Sequence, residues 1–314
     1  MNKAIIFIKS MGIGDLVILI ANIQAISKHL GQPVTVLAQK NTHASAILKN
    51  DTKHIEEIIE LNDKEIKDFF NIIKKIKPKK FDQGYILSDS LRLYLICKLS
   101  GIRQVFSYPF FSKKGRNFYK TAKEFTEKIL NEKVDSQSKI FLDQKEVDET
   151  KKKYANTNEI KNLCCGISAS GKTKRWPIDN YISLFENLSS KFQCKFFLMG
   201  GPKDEELIKR VMNSPVGKNC ISFSNNTISE ILPVIGSCQY YIGNDTGFGH
   251  ISAALGLKSL FLFLDSPVLA YGKWSKNISV VLPEGETEKT TVHDTLGTIK
   301  TEKVFTEAVK LLSN

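Results

Sequence analysis

Short β-branched runs alternate with longer amphipathic stretches almost from the first residue, and this alternation constrains the fold more than any single motif. AIIFIK (4–9) enters a glycine turn and gives way to DLVILIANIQAISKHL. PVTVLAQ, a helical stretch near 42–50, EEIIEL, a helical stretch near 63–77, QGYIL, SLRLYLICKL and RQVFSY follow. Strands that alternate with helices build parallel sheets covered on both faces, because a parallel neighbour is reached only through a crossover. A chain of 314 residues also exceeds what one core usually fills. After a helical stretch at 117–131 the composition turns strongly polar over EVDETKKKYANTNEIKN (146–162), and a domain boundary is expected there. A second series then runs NLCCGIS, helix 178–191, CKFFLM, helix 203–213, NCISF, helix 227–236, CQYYIG, helix 248–256, SLFLF and a last helix at 302–312. The expected class is α/β, with two doubly wound, Rossmann-like domains over 1–155 and 156–300. A terminal helix over 301–314 has a return to the first domain left open. Two such sheets in tandem should leave a cleft between their carboxyl edges, where open α/β sheets bind ligands.

Hydrophobic residues at 42% and charged residues at 25% supply sizeable cores and argue against disorder. The apolar run before Lys9 is too short for a secretory signal, and no segment reaches ~18 uninterrupted apolar residues, so a cytoplasmic location is expected. Cys97, Cys164, Cys165, Cys194, Cys220 and Cys238 lie mostly in apolar surroundings without a CxxC pair, and read as buried reduced thiols. The net charge of +12 favours polyanions, which alone does not separate nucleic acid, anionic lipid and phosphorylated glycan. KKIKPKK (74–80) reads as a solvated face. SKKGRNFYK (112–120) interleaves aromatics and reads either as a solvated face or as a loop for an anionic partner, through Lys113, Lys114 and Lys120. A nucleic-acid binder would need stacking platforms or a recognition helix, and the sequence suggests neither.

Three constellations fall at strand-to-helix turns. In SMGIGDLV (10–17), Gly12 and Gly14 let backbone approach a ligand, and Asp15 reads as a helix cap or as a functional carboxylate. This is not GxGxxG, and Gln39 and Lys40 stand where a dehydrogenase would carry an acid for the ribose, so nicotinamide binding is disfavoured. In GISASGKTKRWP (166–177), the hydroxyls of Ser168, Ser170 and Thr173 and the cations of Lys172, Lys174 and Arg175 suit a diphosphate. By letter, Gly166, Gly171, Lys172 and Thr173 also satisfy the P-loop string. Pro177, however, marks a helix start well after the lysine, and no strand ending in a magnesium-binding Asp accompanies it, so an NTPase is disfavoured. In GNDTGFGHISAALG (243–256), Asp245, Thr246 and His250 crowd a junction opened by Gly247, where free amides at a helix start suit a phosphate. Glu230, early in a helix just after a strand, reads as a surface residue or as a carboxylate reaching ribose hydroxyls.

These residues carry a resemblance. IKSMGIGDLV, FDQGYILSDSLRLYLICKLSGIRQVFSY, SASGKTKRWPIDNY, FFLMGGPKDEE and above all GNDTGFGHISAALG resemble the ADP-heptose:lipopolysaccharide heptosyltransferases, glycosyltransferases of the GT-B architecture. The resemblance implies two Rossmann-like domains facing across a cleft, and inverting transfer of heptose from ADP-heptose to a surface glycan. No metal and no cofactor beyond the nucleotide-sugar donor is implied. It makes Asp15 the general base, Lys174 the lysine near the donor phosphates and Glu230 the acid on the ribose. Asp245, Thr246, Gly247 and His250 become the donor diphosphate and sugar site, and Ser10 and Gly14 part of the acceptor-side loop. An anionic glycolipid acceptor, peripheral contact with the inner membrane and no nucleic-acid partner follow. Hinges near 146–162 and 290–302 would let the cleft close. Two stretches depart from the family pattern: TAKE (121–124) stands where relatives carry HAxE, and SDSLR (88–92) where they carry AQGLxK.

Overall fold

The computed structural model of the chain describes residues 3–9, 12–109, 117–154, 157, 159–291 and 298–313. It divides into two units, Met1–Phe141 and Leu142–Asn314.

The first unit contains β1 (Ala4–Phe7), α1 (Ile13–Leu30), β2 (Val34–Gln39), α2 (Ala44–Ile47), β3 (Ile55–Leu61), α3 (Asp63–Lys67), α4 (Phe69–Ile76), β4 (Gln83–Ile86), α5 (Leu91–Leu99), β5 (Gln104–Ser107) and α6 (Phe118–Leu130). Its five strands are parallel in the order β3-β2-β1-β4-β5, with Ile5 of the central strand level with Thr35 and Gly84. Every residue of β1 is buried, as expected for a strand covered on both faces. The chain steps one way from β1 to β3 and the other way from β4 to β5, so right-handed crossovers put α1 on one face and α4 and α5 on the other. α1 is long and apolar enough to span a bilayer, but 56% of that window is buried inside the unit, which makes it a core helix. It ends where Gly31, at φ +66°, donates its N–H back to the carbonyls of Ser27 and Lys28.

The single helix expected near 63–77 is two helices. Asn62 caps α3 in a reciprocal box with Glu65; Asp68 then turns extended and caps α4 by accepting from the Asn71 N–H. The helix expected near 42–50 shrinks to α2 because His43 adopts the left-handed region at φ 52°.

The second unit contains α7 (Gln144–Lys153), β6 (Lys161–Gly166), α8 (Ile178–Lys191), β7 (Cys194–Met199), α9 (Glu205–Met212), β8 (Cys220–Ser222), α10 (Ile228–Gly236), β9 (Tyr240–Asn244), α11 (Gly247–Ala254), β10 (Lys258–Leu262), α12 (Val268–Tyr271), β11 (Ile278–Val281) and α13 (Thr301–Ser313). Its sheet is parallel in the order β11-β10-β9-β6-β7-β8. The core joins Leu163, Cys165, Trp176, Tyr181, Phe185, Phe196, Ile242 and Leu260.

The division falls at 141/142 rather than 155, because the polar stretch that reads as a linker contains α7, which docks on α10 through the buried Val147. The hinge expected over 146–162 is therefore partly helical, while 292–297 of the other expected hinge lies outside the described residues. The last helix, whose return to the first domain the sequence leaves open, packs within the second unit. Val304, Ala308 and Leu312, one per turn, bury in the second core, and α13 packs on α8, β10 and β11. All six cysteines are free thiols, five of them buried and Cys194 half-buried.

Candidate functional site

In the second sheet the chain runs outward from β6 to β8 and then returns to the other side of β6 as β9. Strand order reverses between β6 and β9, and the loops leaving these two strands diverge at the carboxyl edge, where open α/β sheets bind ligands. Residues 167–177 follow β6, and Asp245 and Thr246 follow β9.

Asn244, the fully buried last residue of β9, ties the two loops together. Its Oδ1 accepts from the Trp176 backbone N–H at 3.0 Å, and its Nδ2 donates to the carbonyls of Ile167 and Ser168 at 3.2 and 3.3 Å. The Trp176 indole N–H in turn donates to the Ile299 carbonyl at 2.8 Å. Beneath the junction the Tyr241 hydroxyl donates to the Asn244 carbonyl at 2.7 Å and lies 3.2 Å from Thr246 Oγ1. Tyrosine has one hydroxyl proton, so Thr246 is the donor in that second contact. Room for the phenol comes from glycine: a Cβ on Gly166 would sit 2.2 Å from the Tyr241 oxygen.

The P-loop reading fails on this geometry. Gly166 is a strand residue whose lack of a side chain serves packing. Lys172–Lys174 form one 3-10 turn, Arg175 is extended, and α8 begins only at Ile178. The GKT lysine therefore does not open a helix, as a P-loop lysine must. Arg175 is drawn into structure instead, donating from Nε to the Ala169 carbonyl at 2.9 Å, with Nη2 3.7 Å from Asp204 Oδ1.

Thr246 caps α11 without a side-chain bond of its own to the helix, and the first intrahelical bond runs from His250 N–H to the Thr246 carbonyl. The amides of Gly247 and Phe248 thus precede the helical ladder, at the positive end of the helix dipole. Asp245 Oδ1 lies 3.0 Å from His250 Nε2, and His250 Nδ1 lies 3.0 Å from Trp274 Nε1. Indole can only donate, so Nδ1 is the acceptor and the imidazole proton is on Nε2, pointing at the carboxylate. Both nitrogens of this buried ring are engaged within the protein. Burial works to raise the Asp245 carboxyl, but the hydrogen bond from His250, with Lys174 assisting, outweighs it and holds the group below its ordinary value. Lys174 and Asp245 stand on the two loops that Asn244 ties together.

Other expected residues lie as follows. Ser168 is buried, its carbonyl bound by Asn244, while Ser170 is exposed. Glu230 stands at the third position of α10, where its carboxylate accepts from the Thr227 N–H at 2.7 Å and hydroxyl at 2.9 Å. These bonds lower its pKa and complete a capping box. In the first unit Gly12 is the extended N-cap of α1, with Gly14 and Asp15 in the first turn. The cap position is thus glycine's, and the Asp15 carboxylate is left at the helix's positive end. Lys120 pairs at 3.7 Å with Glu124, both well exposed, an ion pair of little energetic weight. Ser10, Lys113 and Lys114 lie outside the described residues. Among the described residues no group of three or more His, Cys, Asp and Glu could hold a metal ion. The sequence reading missed Asn244, Tyr241 and Trp274. Asn244 sits inside a motif that drew attention for other residues and Tyr241 just ahead of it, whereas nothing around GKWSKN marks Trp274.

Two parallel α/β sheets, the second with a polar site at its switch point, define a GT-B-like fold. The fold matches the crystal structure of the glycosyl transferase family 9 protein from Veillonella parvula at a TM-score of 0.83 and 17% identity, over 100% of this chain and 98% of that one. It matches Escherichia coli ADP-heptose lps heptosyltransferase II at 0.75 and 18%, over 99% and 98% of the two chains. Lipooligosaccharide heptosyltransferase 2 of Haemophilus influenzae is 29% identical over 103 residues, 32% of this chain and 30% of that protein, so the match spans under a third of that relative. The model of glycosyltransferase family 9 (heptosyltransferase) matches residues 69–299. The chain belongs to this family.

Proposed function

We propose that the chain is an inverting, metal-independent glycosyltransferase that moves heptose from ADP-heptose to a lipopolysaccharide- or lipooligosaccharide-type glycan, working at the cytoplasmic face of the inner membrane with no nucleic-acid partner. The observation that carries this reading is that the loops holding Lys174 and Asp245 leave β6 and β9 at the switch point, tied together by Asn244, with the start of α11 beside them. In inverting transfer the acceptor oxygen attacks the anomeric carbon while the bond to the diphosphate breaks. The bonding electron pair leaves with the diphosphate. That growing charge needs a cation and oriented amides, which Lys174 and the N–H groups of Gly247 and Phe248 supply, with the hydroxyls of Ser168, Ser170 and Thr246 as further donors. Asp245, held ionised and fixed in direction by His250, is assigned to the sugar hydroxyls, and Glu230 to the ribose. His250 acts through Asp245. The acceptor proton passes to Asp15.

ADP release from ADP-heptose, measured with a lipid-linked glycan acceptor and no added metal, tests the assignment. Acceptor-dependent release is expected; consumption of a different nucleotide sugar in its place would overturn the donor. Asp15→Asn should abolish turnover and leave donor affinity within a few fold, and a lost donor affinity would make Asp15 structural. Lys174→Ala should slow turnover by about ten- to a thousandfold, the range for removing one charge-stabilising donor. A capsular or protein acceptor is the second reading, favoured by the departures at 88–92 and 121–124 on the acceptor side.

A further inference from the structure

α5 is apolar on both sides. Leu93, Ile96 and Cys97 point into the first core, as an amphipathic helix on a sheet requires. On the outer side, where such a helix normally turns polar, Leu91, Leu95 and Leu99 recur at four-residue spacing and are 51%, 44% and 56% exposed. α4 packs beside α5 on the same face of the sheet and carries Phe70, 77% exposed. Four of the six large apolar side chains exposed among the described residues thus belong to one helical layer.

The layer is strongly basic. Between residues 69 and 103 stand eight lysines and arginines against two aspartates. Lys74, Lys77, Lys80 and Lys98 are exposed. Lys98 is held at the helix end, its Nζ donating to the Arg103 carbonyl at 2.8 Å, and Arg92 donates to the Ile66 carbonyl at 2.7 Å, so cations stand beside the leucines on α5 itself. An apolar stripe set among ammonium groups matches the layering of a bilayer surface, where anionic headgroups lie above acyl chains. A second copy of this face would bring the same positive charges against one another, which disfavours self-association.

We propose that the outer face of α4 and α5 is a docking surface for an anionic phospholipid bilayer, with Leu91, Leu95, Leu99 and Phe70 entering the acyl boundary and Lys74, Lys77, Lys80 and Lys98 meeting the headgroups. The proposal agrees with the glycolipid acceptor above but does not rest on it. Each leucine supplies apolar area that is worth burying, and each lysine near the surface adds attraction to anionic lipid.

Co-sedimentation of the full chain with phosphatidylcholine vesicles, with and without phosphatidylglycerol, tests it independently of catalysis. Binding is expected only with phosphatidylglycerol, weakening as salt rises. The triple variant Leu91→Ser, Leu95→Ser, Leu99→Ser should partition at least tenfold less, as should Lys74→Glu, Lys77→Glu, Lys80→Glu. Because the three leucines lie outside the core, circular dichroism should show the serine variant folded; if it melts early, the charge-reversal variant alone decides. Parent-like binding by the charge-reversal variant, or by a folded serine variant, would overturn the proposal. So would failure of the parent to bind anionic vesicles, or a dimeric parent that the serine variant converts to monomer. Nucleotide-sugar turnover could survive any of these results, so the two readings fail separately.

Discussion

Trp274 can only donate, and that single property fixes the state of a ring 24 residues earlier in the chain. Its N–H occupies His250 Nδ1, which leaves Nε2–H to hold Asp245 in one direction and keep it ionised. Trp274→Phe keeps the aromatic packing and removes the donor. The imidazole is then left with a buried unpaired nitrogen, a cost of about 1–3 kcal/mol, or takes the other tautomer and turns a lone pair toward the carboxylate. Calorimetric titration with the nucleotide sugar should show roughly tenfold weaker binding, about 1.4 kcal/mol, with an unchanged circular dichroism spectrum. Unaltered affinity would reduce the Trp274–His250 contact to packing. The sequence marks Asp245, Thr246, Gly247 and His250 as a group, because polar side chains between glycines at a strand end are a local signal. That His250 serves Asp245 rather than turning outward depends on Trp274, which no spacing rule connects to it.

At the scale of elements, the loop after β6 shows how a string of letters departs from its usual structure. Gly166 is required because the Tyr241 phenol fills the space a side chain would need, and Gly243 is crowded by the same hydroxyl. Gly166→Ala should cost about 1–3 kcal/mol by overpacking, read as a lower urea midpoint with an unchanged slope. Adding Tyr241→Phe should recover part of the loss. A midpoint that does not move would mean the loop relaxes freely, and the packing account of Gly166 would fall. Most strands and helices were legible because their apolar periodicity and turn residues are local. α7 and β11 are among those that were not. α7 buries only Val147, so its sequence looks like a linker until α10 supplies a surface to dock on. β11 is a four-residue edge strand, too short to show a pattern and formed by pairing with β10.

For the whole molecule, the division at 141/142 assigns each core to one continuous stretch of chain, and α13 closes the second of them. Residues 142–314 produced alone should therefore unfold in one cooperative urea transition and still be stabilised thermally by the donor nucleotide, since both loops at the switch point belong to that unit. Loss of cooperativity would show that its core needs the first unit. Two doubly wound domains, the parallel sheets and the polar turns after particular strands were settled by the sequence itself, because strand and helix periods and glycine-bearing turns act over a few residues. The tertiary structure alone decided where the chain divides, where its last helix packs, which glycine serves packing rather than phosphate, and which partner orients Asp245. Each of those rests on contacts between residues far apart in the chain, whose energies exist only once the strands are in register.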